Sequence, residues 1–213
     1  MRQRLGVVLF TLAVTVVCGG LVCGVNALLA DRTASNAQAA RQRVILRLLQ
    51  GTAEADGLPG DRVAALFQDR VDTVTLQAPG QAPLTAFRPK GTAAAPIVFP
   101  FRGQGFWDAI AGFLAIDPAA KKIVGIEFTE HAETPGLGGR ISEPAFRARF
   151  AGKPLDQPGP DGRRLRLVSE GTAAQPTEID GITGASETSR AVERIVNRAA
   201  DTILALLAAG GQP

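Results

Sequence analysis

The chain contains no tyrosine, one histidine (His131), one tryptophan (Trp107) and two cysteines (Cys18 and Cys23) in 213 residues. One imidazole and two thiols are too few for the usual His/Cys zinc constellations, so no metal site is expected. Both cysteines lie in the first apolar stretch, which leaves the remainder of the chain without disulfides or thiol chemistry and compatible with any redox compartment. The net charge is only +3, and no Lys/Arg run is interleaved with aromatics, so nucleic acid is not an expected partner. There are no internal repeats.

What is present begins with a long apolar run. Leu5 to Ala30 is broken only by Thr11, Thr15 and Asn26. As a helix it would extend about 39 Å, enough to cross a bilayer with some tilt. Arg2 and Arg4 precede it, and the positive-inside rule then puts residues 1–4 in the cytoplasm and the following domain outside. Arg32, Arg41, Arg43 and Arg47 weaken that asymmetry, but long domains translocate largely regardless of such charges. A cleaved signal peptide is the competing reading. The run is long for a signal core, and Leu28-Leu29-Ala30 is a poor cleavage site, which favours an uncleaved anchor. Lipidation at Cys18 or Cys23 is disfavoured by the bulky Val17 and Val22 before them.

The remainder reads as alternating helices and strands. Residues 33–50 predict a helix with Val44, Ile45, Leu48 and Leu49 on one face, and Leu58 to Arg70 a shorter one. Val71 to Leu76 alternates as a strand, and residues 78–96 read as irregular chain with one short strand near Leu84 to Phe87. Ala109 to Ile116 and Ile123 to Phe128 flank a polar turn and predict a hairpin. Ser142 and Pro144 suggest the start of a helix ending near Phe150, with Ser142 as its cap. Leu165 to Ser169 predicts a strand, and residues 170–178 a loop. Val192, Ile195, Val196, Ala199, Ile203, Leu206 and Leu207 line one face of a last helix, from about Glu187 to Leu207, closed by Gly210-Gly211. The expected organisation is a transmembrane helix (5–30), a membrane-proximal helical and linker region (31–95) and an α+β domain (96–213).

Three stretches carry candidate chemistry. Asp180-Gly181-Ile182-Thr183-Gly184-Ala185-Ser186 places a hydroxyl where the last helix begins. Unpaired N–H groups and the helix dipole favour a phosphate there. Gly184 and Ala185 keep bulk away, Thr183 can donate to a phosphate oxygen, and Asp180 can accept turn N–H groups or help a modifying enzyme's Mg²⁺. The plainer alternative is that Ser186 only caps the helix. In Glu130-His131-Ala132-Glu133-Thr134-Pro135-Gly136-Leu137-Gly138, Leu137 stands between glycines Gly136 and Gly138 and can pack on a flat ring, with the Thr134 hydroxyl free to bond ring heteroatoms. Glu133 reads equally as a ring-edge group or a loop stabiliser, and His131 as a hydrogen-bonded loop residue. In Gly103-Gln104-Gly105-Phe106-Trp107, Trp107 reads equally as a ring shield or as a core anchor for the hairpin.

The G-x-G-x-W segment, the E-H-x-E-T-P-G-L-G loop and the D-x-x-T-G-A-S site, in this order, resemble the FMN-binding subunits of two membrane complexes: the G subunit of the Rnf electron transport complex and the C subunit of sodium-translocating NADH:quinone oxidoreductase. The resemblance runs from about Pro96 to Val196. It implies an extracytoplasmic α+β domain on one membrane helix, carrying FMN joined by a phosphoester to Ser186 by a flavin transferase that uses FAD and Mg²⁺. Asp180, Thr183, Gly184, Ala185, Glu133, Thr134, Gly136, Leu137 and Trp107 would surround the cofactor. It further implies a redox subunit that relays electrons within a bacterial inner-membrane, ion-translocating complex, with other membrane subunits as partners and no general acid or base of its own. The family's acceptor is usually Thr; here it is Ser186. The modest length leans toward the Rnf type. A stand-alone flavin-binding sensor or accessory protein, or a flavin-free scaffold, are the other readings.

Overall fold

The structure, a computed structural model, describes residues 2–51, 54–77, 82–92, 96–159 and 161–209. It divides into two compact units, residues 1–40 and 41–213.

In the first unit, the chain is helical from Arg2 onward and belongs to α1 (Arg2–Gln50), which is long and apolar enough to cross a membrane. Its apolar side chains, among them Phe10, Val22 and Leu28, are exposed. The Thr11 and Thr15 hydroxyls donate to the carbonyls of Val7 and Thr11, one turn back, so neither polar group is left unpaired in an apolar environment. No break separates the apolar run from the helix expected at 33–50. The first proline is Pro59, so nothing removes a backbone donor before Gly51, whose φ of 64° ends the helix.

In the second unit, five antiparallel strands lie in chain order: β1 (Val71–Leu76), β2 (Leu84–Pro89), β3 (Ile97–Gln104), β4 (Ala109–Asp117) and β5 (Lys122–Glu130). Successive strand residues point to opposite faces, and β4 shows both faces buried. Leu114 and Ile116 join Phe99, Phe101 and Ile126 in one core with Val192, Val196 and Ile203 of the last helix, α4 (Ser186–Ala208). Phe113 and Ala115 turn the other way, to Ile45, Leu46 and Leu49 of α1 and Val63 of α2 (Gly60–Arg70). That two-sided burial explains the nearly continuous apolar run of β4. Leu76 and Ala86 share the first core with Ile97 and Phe99, so residues on both sides of position 95 fold together.

β3 is a strand for which the sequence carried no expectation; among the described residues β2 pairs with it at Phe87–Val98, so Pro100 lies beyond that ladder, where a missing donor is tolerated. Two expectations are corrected. The helix expected over 142–150 is a 3-10 turn (Gly138–Ser142) followed by a single turn, α3 (Pro144–Ala148), and Ser142 does not cap it. The polar stretch before the acceptor segment ends in β7 (Glu178–Asp180), which pairs in parallel with β6 (Arg166–Val168). The expected Gly210-Gly211 stop and part of the 78–96 segment fall outside the described residues.

Gly112 sits at a register shift in β4, and a methyl there would lie 2.0 Å from the Glu127 carbonyl oxygen and 2.8 Å from Phe101. Gly112→Ala should therefore destabilise the domain by about 1–3 kcal/mol, read as a lowered midpoint in urea with an unchanged slope.

Candidate functional site

Three loops meet at one end of the sheet. The first, Gly105–Asp108, joins β3 to β4. The second, from His131 to Leu137, follows β5. The third, Gly181–Ala185, enters α4.

Glu133 connects them. It is 4% exposed, and one carboxylate oxygen accepts from the backbone N–H groups of Phe106 (2.8 Å) and Trp107 (3.3 Å). The other accepts from the Thr188 hydroxyl on the first turn of α4, at 2.6 Å. Both oxygens are thus occupied within the protein, which gives Glu133 the loop-stabilising role of its two readings. The glycines around it follow from this packing. A methyl on Gly105 would lie 2.6 Å from one Glu133 oxygen, and a methyl on Gly138 would lie 2.4 Å from the Thr188 hydroxyl.

Two further contacts complete the patch. The Trp107 indole N–H donates to the Thr134 hydroxyl at 3.1 Å, and Phe106 packs edge-on against the indole at 5.0 Å between ring centroids. Trp107 is 64% exposed, so it is not a core anchor for the hairpin. Gly136 has φ of 75°, which lets the loop turn before Leu137. Leu137 is itself exposed, and its Cδ2 lies 3.2 Å from where a Gly184 side chain would begin. Gly184 also has φ of 78°, a second reason for glycine at that position.

Ser186 is the first residue of α4, and the cap position belongs to Ala185. Its side chain is exposed and makes no hydrogen bond among the described residues, so the simple capping role is not what its hydroxyl does. Instead the Ser189 hydroxyl accepts from the Ile182 N–H, closing the loop from inside. Asp180 accepts from the N–H groups of Thr172 and Ala173, both at 3.0 Å, the turn-holding role of its two readings. His131 is a loop residue hydrogen-bonded to the Ser142 hydroxyl at 2.9 Å, which is where that hydroxyl goes instead of capping.

Two residues that sequence reasoning missed are Glu170 and Arg149. Glu170 accepts from the Thr183 N–H at 3.1 Å. Arg149 reaches Glu170 at 2.9 Å and the carbonyls of Asp180 (2.9 Å) and Gly181 (2.7 Å). These partners lie far apart in sequence and follow no period, so no local signal marks them.

The Thr183 hydroxyl and then Arg149 hold the Glu170 carboxyl down at about 2, from an ordinary 4.5. The N–H groups of Ala174 and Gln175 lower Glu178, and chiefly that of Ala173 lowers Asp180. Carboxyls with depressed native values stabilise the fold fully above their unfolded values and lose that contribution as pH falls through the native ones. The melting temperature should therefore be flat above pH 5 and fall progressively between about 4.5 and 2, with Glu170→Gln flattening part of the fall.

The patch fits a flavin on physical grounds. Exposed Phe106, Trp107 and Leu137 offer apolar contact for a flat ring. The first turn of the 23-residue α4 offers unpaired N–H groups and partial positive charge to a phosphate, beside a hydroxyl with no other partner. Residues 105–201, a little under half of the chain, match the FMN-binding domain family. The matched region is an FMN-binding domain. The cofactor of this domain is FMN.

Similarity to known proteins agrees. The chain is 37% identical over 102 residues to the C subunit of the Na⁺-translocating NADH-quinone reductase of Yersinia pestis, over 47% of this chain and 38% of that one. It is 38% identical over 98 residues to its namesake from Neisseria meningitidis, over 46% and 37% of the two chains. It thus spans well under half the length of these curated relatives. The fold is also that of the crystal structure of Shewanella oneidensis NqrC, with TM-score 0.63 and 21% identity over 83% of this chain and 99% of that chain. The crystal structure of the C subunit from Parabacteroides distasonis gives TM-score 0.66 and 20% identity, over 84% and 96%. Both confirm the expected α+β fold.

Proposed function

We propose that this chain is a membrane-anchored redox subunit that carries FMN covalently, through a phosphoester at Ser186, within an ion-translocating oxidoreductase complex. One observation carries the reading: the Ser186 hydroxyl is exposed and, among the described residues, unpartnered at the start of α4, just after the loop whose Gly184 the Leu137 side chain approaches. When bound, FMN supplies the electron-transfer chemistry, and the protein positions the ring and tunes its surroundings. Trp107, Leu137 and Phe106 would contact the ring. Thr134 and Thr183 supply hydroxyls, and Gly136, Gly184 and Ala185 leave room for the chain. Glu133 and Asp180 hold these elements in place. No side chain acts as a general acid or base.

Residues 1–4 are assigned to the cytoplasm, 5–30 to the bacterial inner membrane, and the flavin domain, whose core takes in strands on both sides of position 95, to the extracytoplasmic side. The apolar run and the two arginines before it support this arrangement. The partners are other membrane subunits and a flavin transferase using FAD and Mg²⁺. The relatives named above are C subunits of sodium-translocating quinone reductases, which adds weight to that assembly beside the Rnf type.

The test is co-expression of the full chain with a flavin transferase, followed by denaturing electrophoresis. A fluorescent band at the mass of this chain supports the reading, and a dark band beside a flavinylated control protein overturns it. Purification from membranes of a host carrying one complex or the other, with identification of the retained subunits, assigns the assembly.

A further inference from the structure

We propose that Glu170 and Arg149 are positioning residues that fix the segment bearing the flavin, so that the attached ring is immobilised at its root. The proposal rests on attachment at Ser186. A phosphoester joins the ring to the protein through a flexible ribityl chain, so beyond the contacts to the ring itself its mobility depends on how firmly the residue from which it hangs is held. That residue follows a loop, Gly181–Ala185, in which Thr183 and Gly184 are exposed and Gly184 has φ of 78°. Ile182 and Ala185 are buried in the core at either side, so only the exposed Thr183-Gly184 middle of the loop lacks packing of its own to hold it.

The structure supplies an external clamp instead. Arg149 uses a planar fork, which suits several acceptors at once. It binds the carbonyls of Asp180 and Gly181 at the root of the loop and the carboxylate of Glu170. Its guanidinium also lies 5.6 Å from the centre of the Phe146 ring, whose side chain is buried, so the fork is seated on the core. Glu170 then binds the middle of the loop at Thr183, through its N–H. Arg140, two residues after Gly138, approaches Glu170 at 3.9 Å and links the clamp to the Leu137 loop. Neither Glu170 nor Arg149 has a place in the ring contacts described above; both act through Thr183 and the loop carbonyls.

The test uses the full chain with and without its flavin transferase, as wild type, Glu170→Ala and Glu170→Gln. Glu170 is partly exposed, and the melting temperature and Trp107 emission verify that the variants fold. In flavin-free protein, exchange of the Thr183 amide should accelerate roughly three- to tenfold in Glu170→Ala, the effect expected for losing one screened, charge-assisted hydrogen bond. In loaded protein the same variant should keep its flavin, as judged by equal band fluorescence after denaturation, but lose fluorescence anisotropy. Glu170→Gln keeps an acceptor for Thr183 while losing the charge facing Arg149, and should fall between the two. A purely structural role would move the melting temperature without moving the anisotropy of a folded, loaded variant. Unchanged exchange and anisotropy overturn the proposal. So does loss of attachment in a folded variant, which would place Glu170 in the transfer step. A wild-type protein without flavin at Ser186 overturns the attachment reading instead. The amide exchange then judges the clamp alone, acceleration upholding it and its absence overturning it.

Discussion

Ser186→Ala loses all covalently bound flavin and leaves the domain folded. The expectation follows from how little the side chain does in the fold. Ser186 is exposed at the first position of α4, and its hydroxyl has no hydrogen-bond partner among the described residues. Removing it leaves nothing buried and unpaired, and alanine is the better helix former, so the stability change should stay within about 0.5 kcal/mol. The chemical change is absolute, because no oxygen remains to form the ester. Fluorescence of the denatured band reads the flavin, and thermal unfolding reads the fold. A fluorescent Ser186→Ala band would place the flavin on another residue. Ser186→Thr should retain or improve attachment in the same assay, since the position is exposed and threonine is the acceptor usual in the family that the motifs resemble.

Glu133→Ala should be the more damaging change to the protein itself. It leaves the Phe106 and Trp107 N–H groups and the Thr188 hydroxyl without the acceptor they share. Glu133 is 4% exposed, so water replaces it poorly, and a loss on the order of 2–3 kcal/mol is expected. Its side chain also joins the Trp107 loop to the first turn of α4, so two walls of the patch come loose together. Trp107 is the only tryptophan, which makes its emission a clean reporter: Glu133→Ala should lower its anisotropy before any global unfolding. Glu133→Gln should be milder. Its amide oxygen can still accept from Phe106 and Trp107, and its amide nitrogen can donate to a rotated Thr188 hydroxyl. If the two variants are equally stable, the bridging role of the carboxylate is wrong.

The elements legible in the sequence were those with a clear period. α4 shows its buried face as Val192, Ile195, Val196 and Ile203, and β1 and the β4–β5 hairpin alternate or run apolar between turn residues. β3 carried no expectation: its run 97–101 is apolar without alternation and contains Pro100, which leaves no period to read. β7 is three residues long, too short for any period to register. The candidate site was legible as three motifs, but not as a set of contacts. Nothing local announces that Glu133 reaches Thr188, 55 residues away, or that Trp107 faces solvent with its indole pinned to Thr134. The roles of Glu133 and Asp180 had two readings each because a carboxylate that binds a ligand and one that binds backbone N–H groups look alike in sequence. Glu170 and Arg149 belong to no motif and were visible only once β6, β7 and the turn after α3 had been brought together.

The most direct test of covalent attachment is tandem mass spectrometry of the full chain after co-expression with its flavin transferase. The prediction is a peptide containing Thr183 and Ser186 whose mass is raised by FMN less one water, with fragment ions assigning the gain to Ser186. An unmodified Ser186 in that peptide, or the same gain assigned to Thr183, would contradict it.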